Sequence, residues 1–206
     1  VRGLKYNETE IVPWDPIWSK MAQRAQRSIR PILPEGVETY HFGATSIDGC
    51  DAKPICDIGI TWETEDDMWA CVHAMETKHN PIGVIDGYGP RTYMYAKESK
   101  FDERRTHHFH VMERGGYRDN AVRLFRDLLN EYNQLVPMYV NIKEQAIKEG
   151  EWHRSRYTAA KTPFVNAATL LAFHRYNVDH TKFPRAFAEL ECNADKKIYN
   201  DIEKLL

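Results

Sequence analysis

The chain is short of the features that mark a membrane protein, a secreted disulfide scaffold or a polyanion-binding tail. No apolar run approaches the roughly 20 residues that a bilayer-spanning helix needs. The opening residues read as carrying no signal-peptide core. Cysteine is scarce, with four in 206 residues: Cys50, Cys56, Cys71 and Cys192. None forms a C-x-x-C pair, which argues against a cysteine-built zinc site and against a disulfide framework. The expectation is a cytoplasmic protein with reduced thiols. An excess of either charge is missing too. Lys and Arg number 28 against 30 Asp and Glu, a formal net charge of -2. Nothing in that balance draws the chain to nucleic acid or to an anionic membrane, so any phosphate binding has to come from a local patch. Internal repeats and low-complexity segments are absent as well. What remains is an ordinary globular composition, long enough for one sizeable core or for a domain with a helical appendage.

Hydrophobic periodicity orders the chain. From 14 to 32 the pattern is helical, with Ile17, Met21, Ala25 and Ile29 on one face, and Pro31 and Pro34 stop it. Residues 37–42 and 54–61 read as strands. Thr64 caps a helix through Met68, Val72 and Met75, with acidic residues in its first turn. Residues 81–90, holding Gly83, Gly87, Gly89 and Pro90, read as a turn-rich link. Two more strands follow at 91–96 and 106–112, and Gly115 and Gly116 break the chain. Then come three helical patterns, 120–132, 136–150 and 151–176, the last divided at Pro163. Residues 182–206 add one or two helices. The expected class is α+β, a small mixed sheet with flanking helices followed by a helical C-terminal half. The expected organisation is an α/β core over 1–116 with a helical subdomain over 117–206 packed on it, or one continuous domain.

The stretch "YHFGATSIDGCDAKPICDIGI" (40–60) sets an apolar strand, a loop and a second strand with Asp57 inside it. A buried carboxylate is costly unless it is paired, hydrogen-bonded or bound to a metal. Gly43 directly follows a strand, and Ala44, Thr45 and Ser46 can begin a short helix whose free N–H groups suit a phosphate. Thr45 and Ser46 add hydroxyl donors, and Asp57 is placed to hold a divalent cation against that phosphate. The plainer alternative is a glycine turn with Asp57 bonded to backbone amides, and spacing alone favours it.

"FGATSIDGCDAKPICDI" resembles the GrpB family, whose corresponding stretch reads roughly H-I-G-S-T-S-V-P-G-L-x-A-K-P-I-I-D-I. "IVPWDPIW" is similar to that family's N-terminal Tyr-Asp/Pro-x-Trp segment and "THHFHV" (106–111) to its H-L-H-V strand. "LFRDLLNE" (124–131) resembles its F-R-D-Y-L-R helix start. "YVNIKEQAIKE" and "YTAAKTPFV" resemble its two late Tyr-x-x-x-Lys helices. The resemblance spans about residues 10–166 in the same order. It implies the nucleotidyltransferase fold. That superfamily holds a nucleoside triphosphate on a Gly-Ser loop, binds magnesium with two or three strand carboxylates, and transfers a nucleotidyl group with loss of pyrophosphate.

Three positions depart from the superfamily pattern. Its Gly-Ser is Gly43-Ala44 here. Its D-x-D or D-x-E pair is Asp57-Ile58-Gly59, with one carboxylate. Its third carboxylate strand is replaced by His108-Phe109-His110. Residues two apart on a strand share a face, so His108 and His110 project together, opposite His107 and Phe109. With Asp57 they would resemble the two-His-one-carboxylate set of transition metals more than an all-oxygen magnesium site. A histidine there also serves as general base at neutral pH. The alternative is one core histidine with the others solvated.

Around this centre, Pro54 holds Lys53 extended, and Lys53 is a point charge for a phosphate. Arg123 and Arg126 share a helix face, and Arg126 matches the family's F-R-D arginine. Lys143 and Lys161 match its two late lysines, each four residues after Tyr139 or Tyr157, a face suited to a polyphosphate and a base. Two ordinary amphipathic helices are the alternative. Arg104 and Arg105 read as surface residues.

The resemblance implies an enzyme moving a nucleotidyl group from ATP or another nucleoside triphosphate to a small polar metabolite. In that reading Asp57, His108 and His110 are catalytic and hold the metal: magnesium or manganese, with zinc or another transition metal as alternatives. Gly43, Thr45, Ser46, Lys53, Arg126, Lys143, Tyr157 and Lys161 bind phosphate or substrate. The expected partners are a nucleotide and a small molecule, with neither nucleic acid nor membrane. The alternatives are a ligase-like, amide-forming group transfer in the same pocket, or a non-catalytic nucleotide- or metabolite-binding module.

Overall fold

Strand alternation decides the layering. The computed structural model describes residues 3–6, 8–85, 91–99, 102–148 and 154–206. Five strands make one sheet: β1 (Glu38–Phe42), β2 (Cys56–Trp62), β3 (Asn80–Ile85), β4 (Thr92–Glu98) and β5 (Arg105–Glu113), in the order β1-β2-β5-β4-β3. The central pair β2–β5 is parallel and the other neighbours are antiparallel, so the sheet is mixed.

Successive side chains on β2 and β5 point to opposite faces. Ile58, Ile60, Phe109 and Val111 point to the face covered by α1 (Ile17–Ile29) and α2 (Glu65–Glu76), and pack on Ala22, Ala25, Ile29, Met68, Val72 and Met75. Removing this apolar surface from water is the main force holding the layer together. The buried stripe of α1 is Trp18, Ala22, Ala25 and Ile29, whereas Ile17 is 41% exposed. A strict four-residue step drifts off the 3.6-residue turn, so the expected stripe was displaced at its N-terminal end. Helix α2 starts as expected on Thr64, whose hydroxyl accepts from Asp67 N–H while Asp67 accepts from Thr64 N–H, a reciprocal capping box.

The opposite sheet face carries Asp57, Gly59, His108, His110 and Met112, flanked by Tyr40 and Phe42. It looks towards the helical half: α3 (Tyr117–Glu131), α4 (Val136–Lys148), α5 (Arg154–Arg175), α6 (Pro184–Asn193) and α7 (Lys196–Glu203). These helices share a second core that includes Leu128, Tyr139, Phe164, Leu171, Phe173, Leu190 and Ile202, and Ile47 and Cys50 of the β1–β2 loop enter it. The loop is therefore held from both sides.

Three expectations are corrected. Residues 80–85 form an edge strand rather than a link, and an edge tolerates Pro81 and the register irregularity between Pro81 and Gly83. Gly87, Gly89 and Pro90 lie outside the described residues. Helix α5 runs through Pro163 unbroken. Phe164, Ala167, Ala168 and Leu171 are all buried around it, and that packing outweighs the lost backbone bond. Arg105 is buried, with its guanidinium over Tyr6 and donating to Lys5 O, and Arg104 pairs with Glu8 and Asp102. Both arginines bind the N-terminal segment.

Burial pulls His41, His79 and His107 down to about 4 each. Below about pH 6.5 the unfolded chain takes up protons on these rings that the folded chain refuses until about pH 4. Stability should therefore fall as pH drops through that window. Urea midpoints measured from pH 7.5 to 4.5 should decline steadily below 6.5, and a flat profile would contradict neutral burial of these rings.

Candidate functional site

The parallel register sets Asp57 beside His108 and Gly59 beside His110. Asp57 Oδ1 consequently faces His110 Nε2 at 3.2 Å and His108 Nδ1 at 3.6 Å. Burial acts to raise the Asp57 carboxyl, but hydrogen bonds and charge from His108 and His110 outweigh it and hold the group well below the usual carboxylate range. Burial likewise lowers His110, against the opposing pull of Asp57. The centre is an ionised carboxylate set against two imidazole rings.

Gly59 stands where the nucleotidyltransferase pattern has a second carboxylate. A Cβ there would lie 2.5 Å from the ring of Tyr40, the residue paired with it across the strands. The space above Gly59 is thus filled by an aromatic ring. Tyr40 is held in turn by α3. Its hydroxyl donates to Asp119 Oδ1 at 2.6 Å, and Asp119 also accepts from Arg123 Nε at 2.7 Å and Gly115 N–H at 2.9 Å. The Arg123 guanidinium lies 3.5 Å from the Tyr40 ring centroid and pairs with Glu38.

The structure brings Asp57, His108 and His110 together, with His110 within hydrogen-bond distance of Asp57 and His108 at ion-pair distance from the same oxygen. Among the described residues, no three His, Cys, Asp or Glu side chains are arranged to hold a metal ion. One oxygen of Asp57 is turned to both imidazoles, and an aromatic ring takes the second carboxylate's place. The donor set does not fit a metal held by the protein alone.

A cavity of about 480 Å³ opens between this sheet face and α3, α4 and α5, a size usual for small-molecule sites. Gly43 forms one wall. Its φ of 75° and ψ of -177° lie in a region that only glycine occupies readily. A Cβ there would meet Asp57 Oδ2 at 2.5 Å. Gly43→Ala should therefore cost ~1–3 kcal/mol of stability and push Asp57 off its histidines. Chemical denaturation measures the first effect and the titration shifts of His108 and His110 the second. Wild-type values for both would remove Gly43 from the site.

The expected helix after Gly43 is a single 3-10 turn, Ala44–Ser46. Three residues are too few for the helix-dipole argument to apply. The Ser46 hydroxyl turns back to Gly43 O at 2.7 Å, and Ser46 does not line the cavity. Thr45 does line it, with its hydroxyl 2.9 Å from His41 Nε2. Arg126 is also outside the lining. It donates to His41 O and pairs with Asp127, so it joins α3 to β1.

Lys53, Lys143, Tyr157 and Lys161 are all in the lining. The Lys53 ammonium sits 4.0 Å from the Tyr157 ring centroid and that of Lys161 5.5 Å from the same ring. Two like charges are thus gathered on one aromatic. Lys143 is 1% exposed, and its ammonium donates to Asp51 O and lies 3.2 Å from Cys50 Sγ. It pins the loop to α4 and acts on the cavity through its field. Burial lowers both Lys143 and Lys161 from the usual lysine value, and Asp57 opposes this for Lys161.

Sequence reasoning missed Arg118, an exposed residue in the first turn of α3 that also lines the cavity. The signal was available. Arg118, Ala121, Val122 and Phe125 recur at helical spacing and share one face, and that face, rather than the one bearing Arg126, meets the cavity. Thr158, Thr162 and Asn166 of α5 complete a polar wall.

The sequence model of the GrpB family, described as GrpB protein, matches residues 8–170. A UPF0157 protein of Pseudomonas aeruginosa is 28% identical over 157 residues, covering 76% of this chain and 64% of that protein. The UPF0157 protein YqkA of Bacillus subtilis is 25% identical over 163 residues, 78% of this chain and 46% of YqkA. The chain thus spans about half to two thirds of the length of these relatives. Among solved structures, the conserved protein GrpB from Enterococcus faecalis superposes with a TM-score of 0.67 at 21% identity, covering 81% of this chain and 99% of that one. A variant of Cid1 poly(U) polymerase bound to MgATP gives a TM-score of 0.50 at 12% identity, covering 66% of this chain and 44% of Cid1. These two likenesses concern the fold.

Proposed function

The chain belongs to the GrpB family, and from that premise we propose that it is a transferase that moves a nucleotidyl group from a nucleoside triphosphate to a small polar metabolite. One observation carries the reading. Four cationic side chains, Lys53, Arg118, Lys143 and Lys161, surround a cavity whose lining among the described residues holds a single carboxylate, Asp57, set against two histidines. A polyphosphate matches the excess positive charge, and the carboxylate–imidazole cluster suits proton removal. In the step itself, an acceptor oxygen or nitrogen bonds to the α-phosphorus and the bond from that phosphorus to the bridging oxygen breaks. Pyrophosphate leaves, and the acceptor's proton goes to the cluster. Lys53, Arg118 and Lys161 meet the charge that develops on the phosphates. The reading is supported by the likeness in fold to a Cid1 variant that was solved bound to MgATP. The metal dependence implied by the family resemblance is not part of the reading, because the donor set does not fit.

A second reading, ligase-like amide formation without a lasting nucleotidyl product, is favoured by the aromatic ring above Gly59. That ring departs from the two-carboxylate pattern of nucleotidyl transfer.

The test is incubation with each nucleoside triphosphate and a pool of small polar metabolites, with Asp57→Asn as control. Pyrophosphate release and product masses are read. Pyrophosphate with an acceptor gaining a nucleotidyl mass, both lost in the variant, is the expected result. A condensed product without nucleotide would move the assignment to the second reading. No turnover and no nucleotide binding would overturn both.

A further inference from the structure

The cavity's charge and its lack of a fitting metal cage are two sides of one arrangement. Lys53 and Lys161 crowd one ring, that of Tyr157. Among the described residues, no ion pair takes up Arg118 or Lys161. Lys143 adds its field from behind the loop. Gathering like charges around a lining that holds one carboxylate among the described residues is unfavourable in a partly desolvated site until an anion enters. A divalent cation would add two positive charges beside Arg118 and Lys161, which no ion pair among the described residues takes up. Its natural ligand, Asp57, has Oδ1 turned to His108 and His110, and Oδ2 fills the space where a Cβ on Gly43 would stand. Where a second carboxylate would stand, Tyr40 is locked by Asp119 and Arg123.

Resting on the nucleotide reading above, we infer that the triphosphate is bound here as the free polyanion, its charge met by Lys53, Arg118 and Lys161 in place of a divalent cation. These ammonium and guanidinium groups occupy the role that a metal fills in sites built from oxygen ligands. The complement is a chain carrying three to four negative charges. Tripolyphosphate carries the same recognition element without base or sugar.

Calorimetric titration of the whole chain with ATP, and separately with tripolyphosphate, in EDTA and then in excess magnesium, tests this. The expected result is binding in EDTA at least as tight as in magnesium, because magnesium withdraws charge from the ligand. Competition between tripolyphosphate and ATP is also expected. Lys161→Met, which keeps the aliphatic stem, and Arg118→Gln, at an exposed position, should each weaken binding in EDTA by about tenfold or more. Two variants guard against misfolding of one. Binding only in magnesium, or a tenfold loss in EDTA, would overturn the inference and leave the nucleotide reading standing. Absence of binding by every nucleoside triphosphate in both buffers would end both. Unchanged affinity in both variants would also overturn the inference.

Discussion

Asp57→Asn should lower group transfer by ~100-fold or more while nucleotide affinity stays level or rises. The two halves have separate causes. Turnover should fall because the carboxylate orients the neutral imidazoles for taking the acceptor's proton and stabilises the imidazolium that results, and a positioned base contributes about 10²–10⁴-fold. Asparagine keeps the shape but cannot stabilise an imidazolium. Affinity rises because a negative charge leaves a cavity lined by Lys53, Arg118, Lys143 and Lys161. A carboxylate that held a metal for the phosphates would give the opposite sign, with affinity falling alongside turnover. Initial rates of pyrophosphate release and calorimetric affinities in the same buffer decide between them. An activity equal to wild type would remove Asp57 from the chemistry.

Asp119→Ala should be the most destabilising of the substitutions considered, at ~3 kcal/mol or more. Asp119 is 3% exposed and accepts from the Tyr40 hydroxyl, the Arg123 guanidinium and the Gly115 amide. Alanine strands three donors at once, one of them charged. Removing one partner of such a buried set leaves the others desolvated and unpaired, which is worse than never having had the set. The Arg123 side chain is 25% exposed, so water recovers part of its solvation, and the lower end of the range applies. At 206 residues, this corresponds to roughly 6–12 °C in the melting midpoint. Tyr40→Phe removes one donor cleanly and should cost about 1 kcal/mol. Equal losses in the two variants would mean that Tyr40, rather than the Arg123 and Gly115 contacts, carries the effect.

Legibility differed by kind of residue. The strands were readable because β2 and β5 alternate in a sheet with one face in a core and the other in a cleft. That alternation placed His108 and His110 on the face of Asp57. Edge strand β3 was not readable, since Pro81 and Gly83 are turn residues by local chemistry and only pairing with β4 overrides them. Pro163 was misread for the same reason: local propensity argued for a break, and burial on both sides of α5 decided against it. In the site, Lys53 and Lys161 were found through the family resemblance. Arg126 was carried over the same way, yet its hydrogen bonds go to Asp127 and to the backbone of β1. Arg118 has no motif around it. It is found only by asking which face of α3 bears Phe125. Nor does the sequence say that Tyr40 fills the space above Gly59, because that contact lies between strands.

The parallel pairing of β2 with β5 has a consequence for time. A parallel neighbour cannot be reached by a tight turn, and α2, β3 and β4 all lie between the two strands in the chain. Contacts of such long sequence separation form slowly, because the loop entropy is lost before the pairing rewards it. The helices from α3 onward close mainly on near neighbours. Asp57 and His108 meet only once β2 and β5 are in register. The contact of Asp57 with His108 should therefore be among the last that folding makes, and the register of β2 with β5 should return during refolding behind the helices.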